Sequence, residues 1–103
     1  MVRLNGILKG DKLVLVEFFA TWCPHCQKMR PILDRVEKEN KEYLQVERFD
    51  IDAPENEKLL NYYRIQSVPT FLLFYQGDQV WRQSGEMSVS YTHLRAHETS
   101  AHL

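Results

Sequence analysis

Leu13-Val14-Leu15-Val16-Glu17-Phe18-Phe19-Ala20-Thr21-Trp22-Cys23-Pro24-His25-Cys26 decides the fold of this 103-residue chain. Its first seven residues are nearly continuously apolar and rich in β-branched and aromatic side chains. That run predicts a strand buried on both faces, as in a parallel sheet. From Pro24 the period changes. Met29, Ile32, Leu33 and Val36 recur at the spacing of a helix that buries one stripe. Pro24 suits the first helical turn, where its missing N–H costs nothing. Pro31 lies inside the stripe, which continues past it, so a kink is expected rather than an end. The charged run Glu37–Glu42 closes the helix as a solvated end.

Downstream, Tyr43–Asp52 carries Leu44, Val46, Phe49 and Ile51 and reads as a second strand. Ala53-Pro54-Glu55 opens a second helix through about Tyr63, with Leu59, Leu60 and Tyr63 on one side. Thr70–Tyr75 is a third strand, Gln76-Gly77-Asp78 a hairpin turn, and Gln79–Ser84 an antiparallel edge strand ended by Gly85. The order β-α-β-α-β-β predicts an α/β domain with a central mixed sheet flanked by helices.

The length suits one domain with one core. Thirteen basic against fourteen acidic side chains leave a net charge of −1, which gives nucleic acid or an anionic membrane no electrostatic purchase. No apolar run approaches the roughly 20 residues of a membrane span. Arg3, Lys9 and Lys12 precede the first apolar run, but Glu17 inside it and the lack of a small-residue cleavage site argue against a signal peptide. A cytoplasmic protein is expected.

Two cysteines, Cys23 and Cys26, are too few for a disulfide framework or a four-cysteine zinc site. A zinc site shared with His25 lacks a fourth ligand, and His93 and His97 with Glu98 are read as a chance spacing, so no metal and no organic cofactor is expected. Their placement has a different use. At the start of a helix, unpaired N–H groups and the helix dipole favour negative charge, so the first sulfur is favoured as thiolate, the nucleophilic form. The second thiol lies one turn on, close enough to close a disulfide. Cys23 would attack a substrate disulfide, and Cys26 would resolve the mixed disulfide.

Phe18-Phe19-Ala20-Thr21-Trp22-Cys23-Pro24-His25-Cys26, the helix proline Pro31, Phe49-Asp50-Ile51-Asp52, Ser67-Val68-Pro69-Thr70, Gly77 and Gly85 together resemble the thioredoxin family, over roughly Leu13 to Met87. A lone Cys-x-x-Cys is a weak signal. A strand before Trp-Cys-x-x-Cys, and Val-Pro-Thr leading into another strand, make a strong one.

The resemblance implies a thiol–disulfide oxidoreductase that reduces protein disulfides and is recycled by a flavin-dependent reductase, most simply as a monomer. It makes Cys23 the attacking and Cys26 the resolving cysteine. Pro69 becomes the cis-proline facing them, with the backbone of Val68 free to pair with an extended substrate. Trp22 becomes the aromatic flanking the site, with Pro24 and His25 beside it. Glu17 falls where the family usually has a buried aspartate that takes the proton from the resolving thiol. The alternative for Glu17 is a solvent-facing position or a buried neutral carboxyl without catalytic duty.

Three departures from the family pattern stand out. Glu17 is one methylene longer than the usual aspartate. Pro24-His25 replaces the Gly-Pro of the typical cytosolic reductant and occurs in strongly oxidising members of the superfamily, because His25 can stabilise the Cys23 thiolate. A disulfide oxidase or isomerase is therefore the alternative reading, and a non-catalytic binding module using the Val68-Pro69 surface is another. The ends differ as well. The first strand of the family is shortened or missing, and the closing helix is replaced or degraded. Residues 1–88 are read as the thioredoxin-like domain. Residues 89–103 resemble a translated sequencing adapter and are read as a non-native tail.

Overall fold

The computed structural model describes residues 6–8 and 10–84 of the chain. The tail reading for residues 89–103, the closing helix, Gly85, and His93, His97 and Glu98 all lie outside the described residues.

Strand β1 (Leu13–Phe19) is followed by helix α1 (Pro24–Glu39), strand β2 (Leu44–Asp50), a 3-10 turn (Pro54–Asn56) and helix α2 (Glu57–Tyr62). Strands β3 (Thr70–Tyr75) and β4 (Asp78–Ser84) complete a four-stranded sheet of order β2-β1-β3-β4. β1 runs parallel to β2 and antiparallel to β3, and β3 pairs antiparallel with β4, so the sheet is mixed as the element order implies. Among the described residues no strand precedes β1.

β1 occupies the centre because both its faces can be covered. Alternate side chains point to opposite faces of a strand. Val14, Val16 and Phe18 turn towards α2 and form the main core with Leu8, Phe49, Leu59, Leu72 and Phe74. Phe18 stacks on Phe49 with ring centroids 5.8 Å apart and lies against Tyr63. Leu15, Glu17 and Phe19 take the opposite face, under α1. The strand is thus buried on both sides, with one carboxyl among its buried residues.

Helix α1 runs through Pro31 without ending. Its buried residues are Cys26 and Leu33, and Met29 and Val36 are half-buried between and beyond them. Ile32 does not belong to that stripe and is 53% exposed. Positions 26, 29, 33 and 36 form a narrow seam, and Ile32 sits on its flank. The second helix is also less regular than its sequence suggests. Its first turn is 3-10, which tightens the chain after Pro54, and α2 proper has six residues. The hairpin is a two-residue turn: Gln76 (φ 51°) and Gly77 (φ 88°) both have positive φ, and Asp78 already pairs with Tyr75 in the ladder. Two positive φ values match the twist of the flanking strands.

Candidate active site

The strand–helix junction builds the site. Cys23 is the N-cap of α1, with extended backbone (φ −88°, ψ 116°), and its Sγ accepts the backbone N–H of Cys26 at 3.2 Å. A sulfur thereby takes the place that a serine or aspartate oxygen usually fills at a helix start. The junction is fixed by Cys23 N–H donating to the Ala20 carbonyl (3.2 Å) and by the Gln27 amide donating to the Thr21 carbonyl (2.9 Å). Both cysteines are free thiols and both are buried, Cys23 at 3% and Cys26 at 6% exposure. They cluster with Ala20 against Phe19, Ile51 and Val68.

Burial separates the two sulfurs chemically. Desolvation pushes the Cys26 thiol up to about 12, reinforced by its hydrogen bond with Cys23, with the neighbouring Glu17 charge acting in the same direction. Cys26 is therefore protonated at neutral pH.

Glu17 lies on the α1 side of β1 at 2% exposure, which removes the solvent-facing alternative. Burial raises its carboxyl to about 7, against the opposing pull of Arg48 and Arg30 and with support from Asp34. Arg48 stands opposite Glu17 in the parallel register, its Nε 3.7 Å from Glu17 Oε1. Among the described residues, Glu17 Oε2 and Arg48 Nε have no hydrogen-bond partner. A pocket of about 490 Å³ opens beside them, lined by Glu17, Cys26, Gln27, Arg30 and Arg48 among others. The carboxyl and the Cys26 thiol thus share one solvent-reachable space.

The other expected residues converge on the same end of the sheet. The Val68–Pro69 peptide bond is cis, Pro69 is buried, and Val68 packs on the cysteine cluster. Trp22 is 63% exposed, and its Nε1 donates to Asp52 Oδ2 at 2.8 Å. Pro24 begins the helix at the surface, and His25 is half-buried beside it. Trp22, Ile51, Leu60, Ile65 and Val68 line a shallow groove of about 220 Å³ next to the cysteines. Among the described residues no three His, Cys, Asp or Glu side chains are placed to hold a metal, and no helix is long and apolar enough to cross a membrane.

Four contributors escape a reading of the sequence: Arg48, Arg30, Asp34 and Asp52. Arg48 was reachable in principle, because pairing β1 with β2 from Leu13↔Leu44 puts it opposite Glu17. Asp34 and Arg30 sit on α1 at helical spacing from each other, but nothing in their order points at Glu17. Asp52 falls within a stretch quoted for the family resemblance, yet its bond to Trp22 has no sequence signal.

Comparison with known proteins fits this geometry. The family model described as Thioredoxin matches residues 4–96. A thioredoxin-like protein of Synechocystis is 45% identical over 76 residues, covering 74% of this chain and 70% of its own length. A chloroplastic Y-type thioredoxin of Arabidopsis thaliana is 39% identical over 82 residues, 80% of this chain, but the match spans only 46% of that protein. The solved structure of Plasmodium falciparum thioredoxin superposes with a TM-score of 0.75 at 26% identity, covering 98% of this chain and 94% of its own. The chain belongs to the thioredoxin family, and its Cys23–Cys26 pair places it among the thiol–disulfide oxidoreductases of that family.

Proposed function

We propose that the protein reduces disulfides in other proteins, with Cys23 as nucleophile, Cys26 as resolving thiol and Glu17 as the base. The Cys23 thiolate attacks one sulfur of the substrate disulfide; the substrate S–S bond breaks and its other sulfur leaves as a thiolate that takes up a proton. Glu17 then accepts the Cys26 proton through the shared pocket. Cys26 attacks Cys23 Sγ, the mixed disulfide breaks, and the substrate's second thiol departs. The protein loses two electrons to the substrate and is left with a Cys23–Cys26 disulfide.

The observation that carries this reading is the Cys23 sulfur at the N-cap of α1, receiving the Cys26 N–H at 3.2 Å. Donors at a helix N-terminus stabilise sulfur as an anion. Trp22, Pro24, His25, Val68 and Pro69 form the surface proposed to receive the substrate, the backbone of Val68 pairing with an extended segment. A flavin-dependent thioredoxin reductase drawing on NADPH would return the electrons. A cytoplasmic setting belongs to the same reading, with the chloroplast, home of one relative, as the compartment to test against it. The reading assigns all of this to residues 1–88, working as a monomer.

An insulin reduction assay on wild type and Cys26→Ser tests it. Turnover by wild type, and a trapped mixed disulfide in the variant, support reduction. Binding of substrate with no reduction by wild type would leave a binding module instead. A reduction potential near that of glutathione would turn the proposed direction towards oxidation or isomerisation.

A further inference from the structure

Arg48 is shared among three carboxylates. Its Nη2 donates to Asp34 Oδ1 at 2.9 Å, its Nη1 is 3.6 Å from Glu37 Oε1, and only its Nε edge faces Glu17, at 3.7 Å. Asp34 and Glu37 lie one turn apart on the same face of α1. A guanidinium carries a rigid fork that prefers to meet a carboxylate with two parallel N–H bonds. Here both Nη groups are drawn outward by the helix, and the buried carboxylate receives neither. Glu17 is left with an incomplete ion pair and an unpartnered Oε2.

We propose that Asp34 and Glu37 are positioning residues for the Glu17 base: by clamping Arg48 outward they deny Glu17 a bidentate ion pair and keep it basic enough to accept the Cys26 proton. This rests on the proposed role of Glu17 as that base. A fully paired carboxylate in that pocket would hold its charge to lower pH and bind a proton less readily. The charged and titratable groups that face Glu17 are Arg48 from β2 and Arg30, Asp34 and Cys26 from α1. Glu37 acts through Arg48, and Arg30 is a second cation at the pocket wall. Arg48 already holds its Nε 3.7 Å from Glu17 Oε1, and loss of its helix partners would free both Nη groups for the same carboxylate. Asp34 and Glu37 are well exposed, with side chains at 58% and 42%, so neutralising them leaves the core untouched.

The test is an NMR titration of the Glu17 carboxyl in the reduced full-length protein, read alongside the pH profile of mixed-disulfide resolution. Asp34→Asn with Glu37→Gln should move both midpoints down by about one pH unit, the scale of a newly completed pair. Asp34→Glu should keep them near the wild-type position. Glu39→Gln removes a charge from the same helix and should leave both in place. Unchanged midpoints in the double variant overturn the clamp, as does an equal shift when the same two substitutions are made in an Arg48→Met background, which would reduce it to direct repulsion of Glu17 by Asp34. Glu17→Gln separates this from the underlying reading. If it abolishes the titration in the rate profile while the double variant moves nothing, the clamp alone is wrong. If it leaves the profile intact, Glu17 is not the base and the clamp falls with it.

Discussion

Two sulfurs three residues apart meet different environments, and the difference is the chemistry. Cys26 has its thiol raised to about 12 by desolvation, whereas Cys23 caps the helix with its sulfur receiving the Cys26 N–H. In the reduced protein at pH 7.5, iodoacetamide should modify Cys23 at least about tenfold faster than Cys26; peptide mapping of a time course would show it, and comparable labelling of the two would refute the division of roles. Glu17 makes a second case at this scale. Its carboxyl rises from 4.5 to about 7 because burial disfavours the charge. The folded protein therefore binds a proton that the unfolded chain has already released between those values. The Glu17 contribution to stability is fully present below about pH 4.5, falls as pH rises towards 7, and is lost above it. The rise corresponds to roughly 3 kcal/mol. Glu17→Gln should accordingly be more stable than wild type by up to about 3 kcal/mol at pH 8 and little changed at pH 4.5, which urea unfolding at the two pH values would measure. A difference that does not grow with pH would show that the charge is solvated in the fold.

Elements obey their local rules where packing agrees and break them where it does not. β1, the start of α1 at Pro24 and its passage through Pro31 are legible from period and composition alone, because a two-sided apolar run and a helical stripe leave few alternatives. Ile32 was not, since periodicity gives the width of a stripe only loosely and the seam against the sheet is narrower. The 3-10 start after Pro54 is likewise set by how the chain must turn from Asp50 into α2. The clearest local conflict ends α2. Ile65 N–H reaches back to the Leu60 carbonyl and Arg64 N–H to Asn61, the paired bonds that close a helix on a left-handed residue. That residue is Arg64, at φ 54°. A non-glycine residue there is strained by roughly 1 kcal/mol. The closure is held from outside: Arg82 of β4 donates to the carbonyls of Tyr63 and Arg64 at 2.6 and 2.9 Å. Arg64→Gly should gain about 0.5–1 kcal/mol, and Arg82→Ala should lose about 1 kcal/mol, both read from thermal melts. Opposite signs would mean that the turn is shaped by something other than its backbone.

At the scale of the whole molecule, one strand serves two purposes. The face of β1 that carries Val14, Val16 and Phe18 holds the core together, and the opposite face holds Glu17, the proposed base, so the core fixes the depth at which the carboxyl sits. The resemblance to the family singles out Glu17 in the sequence, but this coupling was not readable there; it needs the register that sets Arg48 opposite and the helix that carries Asp34 and Glu37. Phe18 is the place to test it, fully buried and in contact with Phe49 and Tyr63 from two other segments. Phe18→Ala should cost about 3–5 kcal/mol, the lost burial plus the cavity left behind. That is a large share of the roughly 5–15 kcal/mol that a domain of this kind has in total. Phe18→Leu refills most of the volume and should cost much less. In urea the midpoint should fall in that order with an unchanged slope, and disulfide reduction should survive in Phe18→Leu at temperatures below its melt. If Phe18→Leu stays fully folded but loses reduction, the core face of β1 reaches the chemistry directly, and the division of labour between the two faces of the strand is wrong.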